Sequence, residues 1–428
     1  MWPAAFANAA DERGRGGGMT RPARILVAAT SGAGHVTPLL PFADAFAKRG
    51  DEVLLIGPPP LDSTVRGTGH EVRIGAAPPA DEVAAIWRRV PDVSRAEAAI
   101  LINRELFGRM GTAAILPEML DACREWRPDL VLREPSEYAS AIAAERTGIR
   151  HAQVAISLAD VEVSALELVA PALAEHGADI VDRITASPYL TRFPASLDPS
   201  PFPATYRFRE AATEIAANPL PDWWDGDDAP LVYLTLGTIA GRLPIGVAAY
   251  RAVLDAVDGL KVRVLLTVGR SFDPASLGRI PPNVHVETWV PQADSLGSAA
   301  VVCCHGGSGT TYGALSAGVP LVVVPMFADQ PANARRLTAT GAGIVVEPSG
   351  GDRDTMGGFG PADTARIRAA IESVLTETSY RTAAILIADE MRHARTVDDM
   401  INLLTDDCPD WMPPNGATNP ARPDPGSV

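Results

Sequence analysis

The residues most able to do chemistry lie between Val301 and Gln330, where a strand, a glycine-rich turn, a helix and a strand follow one another without a gap. The apolar run from Val301 to Cys304 predicts a buried strand, and the segment from Thr310 to Ala317 predicts a short helix. Glycines between them permit a tight turn and the close approach of a ligand. Free backbone N–H groups and the positive end of the helix dipole would face this turn, which favours a bound phosphate or diphosphate. The candidate anion ligands are His305, Gly307, Ser308, Gly309 and Thr310.

Two short segments flank this turn. Trp289, Val290 and Gln292 stand upstream, and Asp329 and Gln330 stand downstream. An aromatic plane, a phosphate cradle and an acid–amide pair suit, in that order, the base, the diphosphate and the sugar of a nucleotide sugar. The order resembles the nucleotide-sugar signature of family 1 glycosyltransferases, which have the GT-B fold, and in particular the enzymes that glycosylate actinobacterial natural products.

The resemblance covers about residues 19 to 405 and implies a role for each part of the signature. In that family the tryptophan stacks on the base, the glycine-rich turn grips the diphosphate, and the acid–amide pair binds the sugar hydroxyls. A core position is the alternative for Trp289, because tryptophan is commonly buried. Gly237 and Thr238, at the end of a predicted strand, resemble the family's second diphosphate-contacting turn, although a plain strand-end turn explains them as well.

A candidate general base stands in the loop after the first predicted strand. His35 follows three small residues and a glycine there, and an imidazole titrates near neutral pH, as deprotonation of a hydroxyl requires. The resemblance gives His35 that role, with a histidine bonded to the helix start as the alternative. It also implies that an acid after a later strand orients the base, and Glu134 takes that place, unless it pairs with Arg133 instead.

One departure from the family bears on the donor. Members that use UDP-sugars often carry a glutamate eight residues after the signature histidine, where it holds both ribose hydroxyls, and this chain has Gly313 there. A deoxyribose needs no such clamp, and a buried glutamate without its full set of partners is costly. A dTDP-deoxysugar donor is therefore favoured, with a UDP-sugar as the alternative.

Neither a metal nor a cofactor is expected. Asp225 and Asp227 resemble the metal-binding DxD motif of the other glycosyltransferase fold, GT-A, but they lie in an acidic linker, where a solvated loop is the simpler interpretation. No cluster of His, Cys and Asp with metal-ligand spacing occurs elsewhere.

The elements that must position these residues alternate between strand and helix along the chain. Predicted strands in the first half include Arg24 to Thr30 and Leu130 to Glu134, and a second series begins at Leu231 to Gly237. Helical patterns at Asp363 to Thr376 and Arg381 to Leu404 close the chain. The predicted fold class is α/β: a GT-B architecture of two Rossmann-like, doubly wound parallel-sheet domains, with ligands in the cleft between the carboxyl ends of both sheets.

The predicted organisation has six segments. They are a disordered N-terminal extension (1–18), an acceptor-binding domain (19–217), a linker (218–230), a nucleotide-sugar-binding domain (231–380), C-terminal helices that pack back toward the first domain (381–408) and a disordered tail (409–428).

Composition excludes several other classes of protein. The 428 residues carry 37 basic and 52 acidic side chains, a formal charge of −15, which argues against non-specific binding to nucleic acid or anionic membranes. No apolar run approaches the ~20 residues that span a bilayer, and the N-terminus does not fit a signal peptide. Four cysteines without a CxxC pattern predict buried thiols. A cytoplasmic enzyme is the expectation, and a homodimer is left open.

Together these observations predict an inverting glycosyltransferase. His35 would deprotonate a hydroxyl of a natural-product aglycone, which attacks the anomeric carbon of the donor sugar. The segments 87–126 and 158–208, rich in aromatic and aliphatic residues, would bind a small apolar acceptor. Two other classes stay open: a catalytically silent relative that only binds nucleotide sugars, and a Rossmann oxidoreductase, although the turn from Ser31 to His35 lacks GxGxxG.

Overall fold

The computed structural model describes residues 21–59, 61, 65–210, 218–237, 244–270, 272–350 and 358–405. These residues form two α/β domains, one on an eight-stranded sheet and one on a six-stranded sheet, and the named strands pair in parallel throughout. The predicted fold class is thereby confirmed. Thr238, a predicted donor ligand, and Cys408 lie outside the described residues.

Seven strands of the first sheet lie in the first domain, and they are β1 (Arg24–Ala28), β2 (Glu52–Gly57), β3 (Glu71–Ile74), β4 (Leu130–Arg133), β5 (Arg150–Val154), β6 (Tyr189–Thr191) and β7 (Thr205–Arg209). Its helices are α1 (Ala33–Val36), α2 (Leu40–Arg49), α3 (Ala80–Arg89), α4 (Arg95–Ala99), α5 (Thr112–Asp121), α6 (Ala139–Thr147), α7 (Ala159–Leu173) and α8 (Ile180–Ala186). Two π-helical segments, Ile100–Gly111 and Ala122–Trp126, continue α4 and α5. Helices cover the sheet, so central strands such as β1 are buried and read as continuous apolar runs.

The second domain has its own sheet, formed by β8 (Leu231–Thr235), β9 (Arg263–Thr267), β10 (Val284–Glu287), β11 (Ala299–Cys304), β12 (Leu321–Val323) and β13 (Gly343–Val345). Its helices are α9 (Pro244–Val257), α10 (Gln292–Ser298), α11 (Ser308–Ser316), α12 (Gln330–Thr340), α13 (Pro361–Thr376) and α14 (Thr378–Arg392). The strand order is β10-β9-β8-β11-β12-β13, which places β8 and β11 side by side at its centre. Cys303 and Cys304 are buried in β11, and burial raises the pKa of the Cys304 thiol to about 12.

The chain then returns to the first domain. The helical pattern predicted from Arg381 to Leu404 is not one helix, because α14 ends at Arg392 and is followed by a short strand, β14 (Arg395–Thr396), and by α15 (Val397–Thr405). β14 pairs with β7 at the edge of the first sheet, and Met400 of α15 lies in the core beside Phe42. Thr396 and Asp399 form a capping box that starts α15.

The predicted linker, residues 218 to 230, packs along the second domain. Trp223 stacks on His285, with ring centroids 4.2 Å apart, and the Asp227 carboxylate accepts a hydrogen bond from the Ala229 N–H at 2.9 Å. Asp227 thus closes a local turn. Among the described residues, no group of three or more His, Cys, Asp or Glu side chains could hold a metal ion, and no described helix is both long and apolar enough to cross a membrane.

Candidate active site

A cleft of about 2470 Å³ separates the carboxyl ends of the two sheets. Open α/β sheets bind ligands at this edge. Ten of the predicted site residues line the cleft: His35, Trp289, Gln292, His305, Gly307, Ser308, Gly309, Thr310, Asp329 and Gln330. Val290 is placed differently, since its partly buried side chain packs against the core of the second domain.

His35 and Glu134 are brought together by two neighbouring strands. Because β1 pairs with β4, with Ala28 opposite Arg133, the loops that follow both strands leave the sheet side by side. The His35 Nδ1 lies 3.1 Å from Glu134 Oε1, although the N–H direction falls short of a linear hydrogen bond. Catalytic hydrogen bonds often tighten only when substrate binds. The Phe107 ring lies against the other side, with its centroid 5.5 Å from that of His35.

The Glu134 carboxylate is fully buried and held in place by other donors. Its Oε1 accepts hydrogen bonds from the backbone N–H and hydroxyl of Thr30, at 3.1 and 2.8 Å, and its Oε2 accepts one from the Ser136 N–H at 2.6 Å. Burial alone would raise the pKa of Glu134, but His35 and these donors outweigh it and lower that pKa. Burial alone would likewise lower the pKa of His35, yet the Glu134 carboxylate raises it above its usual value.

The glycine-rich turn of residues 305–310, here called the anion turn, follows β11 and leads into a helix as the sequence predicts, except that the helix begins earlier. α11 starts at Ser308 rather than Thr310, with Gly307 as the residue before it. The first-turn N–H groups of a helix have no partner within the helix, so those of Ser308, Gly309 and Thr310 are open to the cleft. Nothing lies within 4 Å of the position that a Gly309 Cβ would take, which leaves room for an anion there.

His305 is held between two glycines at the base of this turn. A Cβ at Gly237 or Gly307 would come within 2.7 or 2.5 Å of the His305 Nε2. Gly307 has an ordinary φ of −63°, so it is needed for this close packing rather than for its conformational freedom. Burial lowers the pKa of His305 to about 4, against the opposing effects of Asp329 and the Thr235 backbone. His305 is therefore a neutral imidazole near pH 7.

The acid–amide pair offers one free group from each residue. Hydrogen bonds to the Asp329 carboxylate from described residues all end on Oδ2, from Ser308 at 2.7 Å, Asn333 at 2.8 Å and Ser157 at 3.4 Å. The Gln330 Oε1 accepts hydrogen bonds from the backbone N–H groups of Met326 and Phe327, at 2.8 and 3.1 Å. The Asp329 Oδ1 and the Gln330 Nε2 are left for a ligand in the cleft.

Three residues of this network had no assigned role in the sequence. Asn333 is buried one helical turn after Asp329, and its amide also donates to the Gly306 carbonyl at 2.8 Å. Ser157 reaches across from the first domain and lies 3.4 Å from the Ser308 hydroxyl. Its position just after β5, at the carboxyl edge of the sheet, is a signal that could have found it. Ala328 has a left-handed φ of 56°, which turns the chain into Asp329.

A salt bridge also joins the two domains beside the cleft. Arg336 of α12 lies 2.9 Å from the Asp160 carboxylate at the start of α7. This pair and the Ser157 contact hold the base side and the donor side of the cleft in one arrangement.

Trp289 is not a core residue. Its side chain is 51% exposed, and the Arg270 guanidinium lies 4.4 Å from the ring centroid. Arg270 covers one region of the indole while the ring lines the cleft. Farther along α10 and α11, a Cβ at Gly313 would lie 3.0 Å from the Gln292 Oε1, so Gly313 permits these helices to approach closely.

The first-domain side of the cleft is mainly apolar. Its lining includes side chains from α3, α5, α7 and the first π-helical segment: Val83, Trp87, Ile102, Leu106, Phe107, Ile115, Val161 and Leu168. Trp87 is 51% exposed, so its indole presents a large apolar face to the cleft. Such a surface favours a ligand with an extended apolar or aromatic face.

Two facing parallel-sheet domains, with a glycine-rich helix start on one and a histidine–carboxylate pair on the other, form the architecture of GT-B glycosyltransferases. Comparison with known proteins bears this out. Residues 251–405 match the model of the erythromycin biosynthesis protein CIII-like C-terminal domain, and residues 82–166 match that of the corresponding N-terminal domain. The L-demethylnoviosyl transferase of Streptomyces niveus is 32% identical over 383 residues, which are 86% of this chain and 93% of that protein.

Solved structures agree with these sequence matches. SnogD from Streptomyces nogalater, a glycosyltransferase, has a TM-score of 0.69 at 24% identity, covering 90% of this chain and 99% of that one. The glycosyltransferase SsfS6 of Streptomyces sp. SF2575, complexed with thymidine diphosphate, has a TM-score of 0.66 at 26% identity, covering 89% and 99%. The chain belongs to the erythromycin biosynthesis protein CIII-like family of natural-product glycosyltransferases. These matches favour glycosyl transfer over the oxidoreductase alternative.

Proposed function

We propose that this enzyme transfers a sugar from a dTDP-linked donor to a hydroxyl of an apolar natural-product aglycone, with inversion at the anomeric carbon. The observation that carries the proposal is the His35–Glu134 pair, 3.1 Å apart, which faces the anion turn at 307–310 across the cleft. The donor would lie on the second domain and the acceptor on the first.

His35 would act as the general base. Its Nδ1 is turned to Glu134, which leaves Nε2 to take the proton from the acceptor hydroxyl. The acceptor oxygen then bonds to the anomeric carbon as the bond to the diphosphate oxygen breaks on the opposite face. The Glu134 carboxylate stabilises the imidazolium that forms, as a charge-assisted hydrogen bond does.

The departing diphosphate would be stabilised by the start of α11. Negative charge grows on that leaving group in the transition state, and the open N–H groups of residues 308–310 and the helix dipole face it. His305, being neutral, would add a hydrogen-bond donor rather than a positive charge. We propose that neither a metal nor a cofactor takes part.

Two observations support a dTDP-deoxysugar as the donor. A Cβ at position 313 would lie 3.0 Å from the Gln292 Oε1 and 3.2 Å from the Leu296 side chain, so a glutamate at the family's ribose-clamp position would require these side chains to move by a few tenths of an ångström. SsfS6 was solved with thymidine diphosphate, and the relative from Streptomyces niveus is named for transfer of L-demethylnoviosyl. A UDP-sugar is the weaker candidate.

Removal of the base tests the proposal. His35→Ala should slow transfer by ~100-fold or more, within the range for a general base, while dTDP binding to the second domain is unchanged. The loss should be smaller for 4-nitrophenol, which is largely ionised at alkaline pH, than for 4-methylphenol, whose pKa is about 10 as in tyrosine. Donors would be dTDP-glucose, dTDP-rhamnose and UDP-glucose, with products measured by mass spectrometry.

His70→Ala is the matched control, because His70 also pairs with an acid, Asp44 at 2.6 Å, but does not line the cleft. Its rate should match that of the parent. Near-normal transfer by His35→Ala, or equal losses with both phenols, would overturn the base assignment. No transfer by the parent with any donor would favour the nucleotide-sugar-binding alternative.

A further inference from the structure

Arg133 carries a buried cation directly beside the candidate catalytic pair. It is the last residue of β4, its side chain is fully buried, and it immediately precedes Glu134. The sequence leaves open that Glu134 pairs with this arginine, but the structure shows a different arrangement. Arg133 Nη1 donates to the backbone carbonyls of Glu134, Pro135 and Glu137, at 3.1, 3.2 and 3.1 Å.

The remaining contacts of Arg133 anchor it to the sheet. Its Nη2 donates to the Gln153 Oε1 at 3.1 Å, and Gln153 in turn donates to the Ile184 carbonyl at 2.9 Å. Among the described residues, Arg133 takes part in no salt bridge, and its Nε has no partner. A buried cation without an ion pair is costly, and here its hydrogen bonds and the neighbouring buried carboxylates of Glu134 and Glu137 offset that cost.

The three carbonyls that Arg133 binds belong to the loop that carries the orienting acid. A loop after a strand can leave the sheet in several directions, and its side chains turn with it. Here the loop is fixed at one end by Arg133 and at the other by Glu137, whose carboxylate accepts the N–H groups of Ala139 and Ser140 at the start of α6. Its first residue, Glu134, then reaches the β1 loop, where His35 lies.

We propose that Arg133 is a positioning residue, which holds the 134–137 loop so that the Glu134 carboxylate faces His35. This inference rests on the proposed function, because it matters only if His35 is the base. Arginine suits the task since Nη1 shares its two hydrogens among the three carbonyls while Nη2 reaches Gln153, whereas lysine has a single nitrogen and cannot keep both sides.

A double-mutant cycle separates this role from a merely structural one. Arg133→Lys should lower kcat by about tenfold, as a misplaced catalytic group does, with the donor KM and the dTDP Kd unchanged. In a Glu134→Gln background the same change should lower kcat by less than about twofold, because residues that act as a unit are non-additive. The assay uses 4-methylphenol with the donor that gives the highest parent rate.

The pH profile gives a second readout. His35 must be neutral to act, and Glu134 raises its pKa, so transfer falls as the pH drops through that raised value. This fall is the acidic limb of the plot of rate against pH, and both Arg133→Lys and Glu134→Gln should move it to lower pH. Arg207→Lys is the matched control, since Arg207 also binds backbone carbonyls, those of Phe193 and Asp198 at 2.5 and 2.7 Å, but lies away from the pair. Arg207→Lys should leave the pH of the acidic limb unchanged.

Additive losses in the cycle, or an unmoved pH limb in Arg133→Lys, would overturn the proposal. Near-normal turnover of Glu134→Gln would instead refute the catalytic pair itself. If Arg133→Lys does not fold, Gln153→Met, which removes the Nη2 anchor together with the bonds of the Gln153 amide to Ile184 and Ser187, should show the same shift of the limb with a smaller loss of kcat. An unmoved limb in a folded Gln153→Met would then refute the role.

Discussion

Asp329→Asn should separate recognition of the sugar from recognition of the nucleotide. In the parent, Oδ2 of this carboxylate is surrounded by the donors of Ser308, Asn333 and Ser157, while Oδ1 is left for the ligand. An asparagine of the same shape must place its oxygen toward those donors, because an NH2 group there would oppose them. Its NH2 would therefore take the place of Oδ1 and would present a donor where the sugar hydroxyl needs an acceptor.

The size of the effect follows from the bond that is lost. A hydrogen bond to a charged group contributes about 1.5–3 kcal/mol, which corresponds to about a 10- to 150-fold loss in kcat/KM for the nucleotide sugar. Free dTDP lacks the transferred sugar, and the asparagine oxygen would keep the contact with Ser308, so its Kd should change by less than about twofold.

The assay combines kcat/KM for dTDP-glucose with calorimetric titration of dTDP. Asp294→Asn is the control, since the Asp294 carboxylate accepts from the Asn218 N–H at 2.8 Å but does not line the cleft. An equal loss of affinity for dTDP and for dTDP-glucose would show that Asp329 supports the anion turn instead of the sugar. No loss for either would remove Asp329 from the donor site.

Three further predictions concern the nucleotide, pH and metal. dTDP should compete with the donor for its site better than UDP does, by about tenfold or less, a difference on the order of 1 kcal/mol. Gly313→Glu should reduce this preference for dTDP, and a preference of the parent for UDP would refute the prediction. Burial raises the pKa of Glu162 to about 8, so the folded state holds a proton that the unfolded state releases above the usual glutamate pKa. The free energy of unfolding should therefore fall as pH rises from about 5 to 8, by up to about 1.4 kcal/mol per pH unit, and this fall should be smaller in Glu162→Gln. The same dependence of melting temperature on pH in the parent and in Glu162→Gln would contradict this prediction. Transfer rates should be equal in EDTA and in added magnesium, whereas a loss in EDTA that Asp225→Ala reproduces would indicate a metal mechanism.

The fold could be predicted because buried parallel strands leave a strong pattern. β1 and β11 are short apolar runs, each followed by a small-residue turn and a helix, and two such series imply two sheets. Strand and helix ends were predicted less well. Ser308 and Gly309 are typical of turns, yet they begin α11, a difference of two residues that is usual at helix ends.

Very short strands could not be predicted from periodicity. β6 and β14 have three and two residues, too few to show a repeat, and they exist because a neighbouring strand already offers an edge. The break between α14 and α15 did have a signal, the capping box at Thr396 and Asp399, which lies inside an otherwise continuous helical pattern.

The site divides in a similar way. His35 and Glu134 could be paired because both follow strands, and neighbouring parallel strands release their loops at one edge. The role of Arg133 could not be predicted, since three of its four bonds go to backbone carbonyls, which carry no mark in the sequence. Asn333, at i+4 from Asp329, could have been found from helix geometry once α12 was assigned.

The two histidines of the cleft have pKa values shifted in opposite directions, and the reaction explains why this suits them. In the proposed reaction, proton transfer creates a positive charge on His35, and the Glu134 carboxylate raises the pKa of His35, which favours that charge. His305 lies at the wall of the cleft without a carboxylate in hydrogen-bond contact, and desolvation lowers its pKa to about 4, so it would stay neutral while negative charge grows on the diphosphate. Stabilisation of that charge must then come from the start of α11, whose dipoles are fixed before reaction and need no proton. The base side of the cleft therefore responds to pH, while the leaving-group side does not. It follows that the acidic limb of the rate belongs to His35, whose pKa is raised mainly by Glu134 and also by Asp329 across the cleft, and that substitutions of His305 should change the rate without moving that limb.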